Sequence, residues 1–143
     1  MRKVFDPIRQ AWVAATPEEI VRQTWIQRMI EELQFPKELI AVEKELRTLP
    51  HITHDSVQSR RIDILCFMKK NYELKPLLLM ECKESLLTEE ALAQAIAYNH
   101  YVQAPYVAVA SGSIIRLCYQ FKDRYHEMER LPSYLELIEV HRG

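Results

Sequence analysis

Two stretches of this 143-residue chain are apolar at consecutive positions: residues 62–67, broken only by Asp63, and residues 77–80. A strand that faces water on one side alternates apolar and polar side chains. A continuous run therefore belongs to a strand covered on both faces. That demands helices on both sides of a sheet and restricts the chain to a layered α/β or α+β arrangement. The two strands are expected over residues 60–68 and 76–84, joined by Lys69-Lys70-Asn71-Tyr72-Glu73-Leu74-Lys75.

The rest of the chain supplies the layers. Thr16-Pro17-Glu18-Glu19 opens a helix, with Thr16 as N-cap, Pro17 at the first helical position and Glu19 closing a capping box. It should run to about Gln34, before Phe35-Pro36. At 100° per residue, Val21, Trp25, Ile26, Met29, Ile30 and Leu33 form its apolar stripe. Glu18 and Arg22 fall inside that stripe, where a charged pair is either a costly ion pair or part of a site. Residues 39–46 make a weaker strand, and residues 47–59 read as a polar loop. Thr88 caps an Ala-rich helix over 89–102. Strands are expected over 106–110 and 114–120, and Ser133 caps a short last helix over 134–138. Residues 1–15 read as an irregular lead-in whose Val4, Phe5, Ile8, Trp12 and Val13 tuck against the body. The whole chain, residues 1–143, reads as one domain.

The informative residues are the charges that interrupt the buried strands. Glu81 and Lys83 lie two apart on one face, about 6.6 Å from each other, with Cys82 turned to the other face. If the strands pair as a hairpin with Met68 opposite Pro76, Asp63 falls across from Glu81. Directly opposed side chains have Cβ atoms roughly 4.5–5.5 Å apart. Two carboxylates forced together in a low-dielectric site share a proton or hold a cation. With oxygen ligands alone the fitting cation is Mg²⁺, or Mn²⁺ in its place. Lys83 beside them can serve a water nucleophile or a phosphate. A lone acid at a strand end is usually a solvated edge; the joint pattern with a helix bearing Glu18 is harder to dismiss. Gln94 and Tyr98, four apart, share one face of the second helix and can reach a phosphate or a base.

Composition removes several classes. Nineteen Lys and Arg against 20 Asp and Glu give a net charge of -1, so bulk charge does not grip nucleic acid. Two glycines leave no room for a glycine-rich phosphate loop. Three cysteines without metal-like spacing suggest reduced thiols. Cys66 and Cys82 read as small core residues on the face away from the acids. The start Met1-Arg2-Lys3-Val4-Phe5-Asp6-Pro7 meets a charge too early for a signal peptide, and no apolar run approaches a membrane span. The expectation is a soluble cytoplasmic protein. His51, His54 and Asp55 read as solvated loop residues. Aromatic residues such as Trp12 and Trp25 are more often core than base-stacking surfaces.

At these residues the chain resembles the PD-(D/E)xK nucleases, the restriction-endonuclease-like superfamily, and within it the N-terminal nuclease domain of the type I restriction enzyme R subunit. The resemblance runs from Phe5-Asp6-Pro7-Ile8-Arg9 through Thr16-Pro17-Glu18-Glu19-Ile20-Val21-Arg22-Gln23, Arg61-Ile62-Asp63-Ile64 and Met80-Glu81-Cys82-Lys83 to Gln94, Tyr98-Asn99 and Ala104-Pro105-Tyr106. It implies a three-layer α/β sandwich with a central mixed sheet of about five strands flanked by helices. It also implies that Asp63 and Glu81 ligate Mg²⁺, with Mn²⁺ substituting, and that the backbone carbonyl of Cys82 adds a ligand. Lys83 would orient or activate water. Glu18, or Glu19 instead, would complete the acidic site, and Gln94 and Tyr98 would flank it. The implied reaction is metal-dependent hydrolysis of DNA phosphodiester bonds. Phosphate contacts would come from Arg60, Arg61, Lys69, Lys70, Lys83 and Arg116. The implied partners are DNA and other restriction-system subunits or a separate ATP-driven motor, and a homodimer remains open. Ile62 stands where the motif usually has Pro. Two rival readings are a catalytically inactive module of the same fold that binds DNA or a partner, and a structural protein whose charges form a buried ion network.

Overall fold

The two apolar strands do pair, and everything else is arranged around them. The computed structural model describes residues 1–45 and 61–142. Residues 46–60, which include Arg60, His51, His54 and Asp55, lie outside the described residues. The order is β1 (Lys3–Asp6), β2 (Ala11–Ala14), α1 (Pro17–Glu31), β3 (Ile40–Glu45), β4 (Arg61–Lys70), β5 (Glu73–Cys82), α2 (Glu89–Val102), β6 (Tyr106–Ala110), β7 (Ile115–Phe121), β8 (Arg124–Met128) and α3 (Tyr134–Arg142). β3 to β8 form one mixed sheet in sequence order, parallel only between β5 and β6. α2 makes the crossover that a parallel pair requires.

The apolar side chains divide by strand parity into two clusters, one on each face. Ile64, Cys66, Met68, Leu78, Met80 and Leu117 pack with Trp25, Ile26 and Met29 of α1 and Leu137 and Ile138 of α3. Leu65, Leu79, Val107, Val109 and Cys118 pack with Leu92, Ala95 and Val102 of α2. This is an α/β protein with helices on both faces of a six-stranded sheet, one strand more than expected. The extra strand, β8, follows the two-residue turn Lys122-Asp123, both at positive φ, and is largely exposed. Without an apolar run or a glycine in its turn it left no strong mark in the sequence.

The lead-in is a β-hairpin, β1 with β2, and it is not irregular. α1 stops at Glu31, three residues before Gln34. Gln34 adopts φ 59°, and the Phe35 N–H reaches back to the Met29 carbonyl at 2.9 Å, a Schellman closure. The β4–β5 connection is the tight turn Asn71-Tyr72, both at positive φ, so β5 begins at Glu73. Phe67, not Met68, lies opposite Pro76. A bulge between Cys66 and Phe67 shifts the ladder by one, leaving Leu77 as the extra residue, and the register from Cys66↔Leu78 to Ile64↔Met80 heads toward Asp63 beside Glu81. α3 runs to Arg142, beyond the expected Ile138; Ser133 caps it, exchanging hydrogen bonds with Glu136.

Among the described residues, no helix is long and apolar enough to cross a membrane. Trp25 is the largest side chain joining a helix to the sheet end: it is 1% exposed, and its indole N–H donates to the Ser111 carbonyl at 2.5 Å. Trp25→Ala should lower the unfolding free energy by about 3–5 kcal/mol, read as a fall in the urea midpoint at unchanged slope.

Candidate functional site

The candidate residues come from three elements that meet at one end of the sheet. Thr16 caps α1 through the Glu19 amide at 3.2 Å. The expected capping box does not close, because the Thr16 amide donates to the Ala14 carbonyl. The Glu19 carboxylate accepts instead from Arg9 at 2.7 Å, Arg22 at 2.8 Å and Gln23 at 3.1 Å. This reverses the helical-wheel expectation. Glu19 is buried with Arg22, while Glu18 lies at the exposed side of the first turn. A wheel records only apolar neighbours, and it is the cations from the hairpin and from α1 itself that draw Glu19 inward.

Arg22 is 5% exposed and ties the site together. One terminal nitrogen donates to Glu19 and lies 3.5 Å from Glu43; the other donates to Asp63 Oδ1 at 2.7 Å. Its Nε is buried without a partner among the described residues. Glu43 adopts φ 54° in the middle of β3. That strained conformation, worth about 1–2 kcal/mol, lets its carboxylate meet Arg9, Arg22 and Arg61. Arg9, whose Nε also pairs with Asp6, links the hairpin to the same network.

Asp63 Oδ2 accepts the Cys82 amide N–H at 2.8 Å, where β4 and β5 part. The Glu81 and Glu18 carboxyl groups both interact electrostatically with that of Asp63. Burial would raise the Asp63 pKa, but hydrogen bonds from Glu81, the Cys82 amide and Arg22 outweigh it and hold the group below the usual range. Glu81 moves the other way: burial and then the neighbouring Asp63 push it well above the ordinary value. Glu18 is also raised, by burial and by the Asp63 charge, with Arg22 and Lys83 opposing. The ordering follows from charge. Among the described residues these contacts join six carboxyl groups (Asp6, Glu18, Glu19, Glu43, Asp63, Glu81) to four cations (Arg9, Arg22, Arg61, Lys83). Among the described residues the carboxyls outnumber the cations by two, and two of them, Glu18 and Glu81, have raised proton affinity.

That surplus is a fit test for a cation. No three His, Cys, Asp or Glu side chains among the described residues stand as a complete ligand set. Mg²⁺ needs no such set: it takes one or two carboxylates and fills its octahedron with water and phosphate oxygens. Asp63 and Glu81 supply that pair, all donors are oxygen, and a divalent ion carries the two charges otherwise met by protons. The residues fit the group.

Other candidates are less central. The row Glu81–Val109–Arg116 crosses β5, β6 and β7, and Arg116 pairs there with Glu127 at 2.5 Å and with Glu89 at the start of α2 at 2.9 Å. Gln94 is exposed about one and a half turns into α2 from Glu89, and Tyr98 lies a turn further, partly buried against the α2-side core. Arg61 is exposed beside Glu43. Lys69 and Lys70 sit at the opposite end of β4, about 20 Å along the strand from Asp63, so they do not join the site. A cavity of about 960 Å³ opens at that far end and contains none of the acids. Cys66 and Cys82 are buried thiols whose pKa values burial pushes up. Arg9 and Glu43 were the members that sequence reading missed, while Arg22 is marked by its place on the apolar helix face.

No curated protein and no solved structure matches the chain. The family model described as type I restriction enzyme R protein N terminus (HSDR_N) matches residues 17–133, a span containing α1 and both acid-bearing strands. The chain belongs to that family.

Proposed function

We propose that this chain is a Mg²⁺-dependent nuclease domain of the PD-(D/E)xK type, on a restriction-endonuclease-like sandwich, that hydrolyses DNA phosphodiester bonds in a restriction system. One observation carries the reading: Glu18 of α1 and Glu81 of β5 each interact with Asp63 of β4 and with Lys83, an excess of negative charge that a divalent ion would fit. Family membership supports the restriction context, and with it DNA, other restriction subunits or a separate ATP-driven motor as partners in the cytoplasm. Asp63, Glu81 and the Cys82 carbonyl would hold the ion, with Glu18 acting directly or through water. When bound, such an ion supplies Lewis acidity and a water of lowered pKa. Lys83 orients the attacking water and counters charge on the phosphate. Arg22 and the Cys82 amide fix the Asp63 carboxylate, and metal binding would compete with protons for Glu81, whose proton affinity is raised. Gln94 and Tyr98 line the α2 side of the bound strand, with Arg61 on the β4 side. Arg116 is already committed to two carboxylates.

The second reading, a module of this fold that binds DNA or a partner without cleaving, is favoured by one feature: Asp63 already has a cation, Arg22, at 2.7 Å. Supercoiled-plasmid nicking with Mn²⁺, against an EDTA control, separates the two. Asp63→Asn, Glu81→Gln and Lys83→Met should each cut the nicking rate by at least about 100-fold; near-normal nicking by the Asp63 variant would refute the nuclease reading. Truncation to alanine is a poorer probe at Asp63. Repulsion between the two acids would suggest that removing either one stabilises the protein. The Arg22 contact makes Asp63→Ala destabilising, by about 1–3 kcal/mol, because a buried guanidinium loses one of its carboxylate partners and keeps Glu19 and Glu43.

The pH dependence has a definite sign. The folded Glu81 pKa lies above its unfolded value of 4.5, so above 4.5 the folded state binds more protons than the unfolded one. Metal-free stability should fall as pH rises from 4.5 through the folded Glu81 value, and Glu81→Gln should flatten that slope in urea titrations. Asp63, lowered from 3.8, contributes stability that is present above 3.8 and lost in more acid solution. Calorimetric titration with Mn²⁺ in two buffers of different ionisation enthalpy should show proton release across the Glu81 window. A wild-type protein that takes up no Mn²⁺ would leave the binding-only module.

A further inference from the structure

The β1–β2 hairpin has one face for the protein and another for something outside it. Its register pairs Lys3 with Ala14, Val4 with Val13, Phe5 with Trp12 and Asp6 with Ala11. Cross-strand partners share a face and neighbours alternate. Val4, Asp6, Ala11 and Val13 thus form one face, where Asp6 is fully buried and the valines are half-buried. Lys3, Phe5, Trp12 and Ala14 form the other. There Phe5 is 47% and Trp12 66% exposed, against 1% for Trp25. The two rings meet edge to face with centroids 5.4 Å apart. The sequence expectation that both aromatics tuck inward is therefore wrong: the small valines and a carboxylate took the inner face.

This outward pair is fixed relative to the acids by a chain of contacts. Asp6 holds Arg9, Arg9 holds Glu19, Glu19 holds Arg22, and Arg22 holds Asp63. The backbone gives a bound as well: six residues separate Trp12 from Glu18, so their Cα atoms are at most about 21 Å apart, roughly the width of a duplex. Lys3 shares the aromatic face, and exposed Arg2 precedes it. Flat aromatic surface beside cations is the chemistry that holds a nucleobase by stacking and its phosphate by charge. In a duplex the base faces are hidden, so an unpaired base is the ligand that a projecting ring can take.

We propose that Trp12 and Phe5, with Lys3, form a stacking platform for an unpaired DNA base, so that the strand presented to the acids is single-stranded or locally opened. The inference deepens the nuclease reading and rests on it for the direction of the strand; its test does not depend on cleavage. The assay is fluorescence anisotropy of the full chain with a labelled oligo-dT single strand and with a duplex of equal length, in EDTA. The single strand should bind more tightly. Trp12→Ala should weaken that binding about 10-fold or more, Trp12→Phe should restore most of it, and duplex affinity should change little. Both side chains point outward, so thermal unfolding of each variant should match the wild type. Asp63→Asn should keep the anisotropy signal whatever happens to nicking, so loss of the nuclease reading and loss of the platform are distinguishable. The platform is overturned if the wild type binds neither DNA, if Trp12→Ala binds the single strand as the wild type does, if single strand and duplex lose affinity equally, or if sedimentation shows a dimer that Trp12→Ala dissociates.

Discussion

The contact on which the candidate site depends is the ion pair between Arg22 and Asp63. A guanidinium that is 5% exposed has lost most of its water, and transferring it inside is tolerable only with several acceptors in place. Glu19, Glu43 and Asp63 supply them from α1, β3 and β4, and Arg9 ties the first two to the hairpin. One side chain therefore fixes four pieces of the fold around the end of the sheet. Because the pair also occupies Asp63 Oδ1, it sets the direction of the carboxylate and leaves the oxygen's second lone pair for another partner.

The layered fold was readable because the two buried strands have no hydrophilic alternation. Residues 62–67 and 77–80 demanded cover on both faces, and the structure gives them α1 and α3 on one side and α2 on the other. α2 was legible to the residue, since Thr88 caps it and the left-handed Gln103 precedes Pro105 at its end. Elements without burial were not legible. β8 and the β1–β2 hairpin rest on backbone pairing and on turns at Gln10, Lys122 and Asp123 that take positive φ without glycine, and composition does not signal such turns. The β4–β5 register shows a different limit: a bulge compensates an error of one residue, so the expected neighbourhood of Asp63 and Glu81 followed from an incorrect pairing at Met68.

At the site, the sequence carried the carboxylates because acids inside apolar strands violate the pattern around them. It did not carry their surroundings. Glu43 lies in a weak strand among Glu, Lys and Glu, where nothing marks it as the residue that bends to meet three arginines. Arg9 sits in a turn whose role appears only once Asp6 is seen to be buried. Glu18 and Glu19 are adjacent and chemically alike; they part company because donors reach one and Asp63 meets the other.

On the proposed nuclease reading, the excess of carboxyl groups over cations among the described residues would link ion uptake to contact with DNA. A chain of net charge -1 with a locally acidic cleft repels a phosphate backbone. The repulsion would act where a scissile phosphate lies, because Lys3 stands on the hairpin's outer face, Arg9 is committed to Asp6, Glu19 and Glu43, and Lys69 and Lys70 are at the far end of β4. Protons would offset the excess only by occupying carboxylate oxygens that a metal needs. A divalent ion cancels it and keeps open coordination positions for a phosphate oxygen and water. The coupling runs both ways, since a phosphate in place adds ligands and negative charge that favour the ion. On that reading each partner would bind the cleft more tightly with the other in place, and the Arg22 contact would hold Asp63 in position before either arrives.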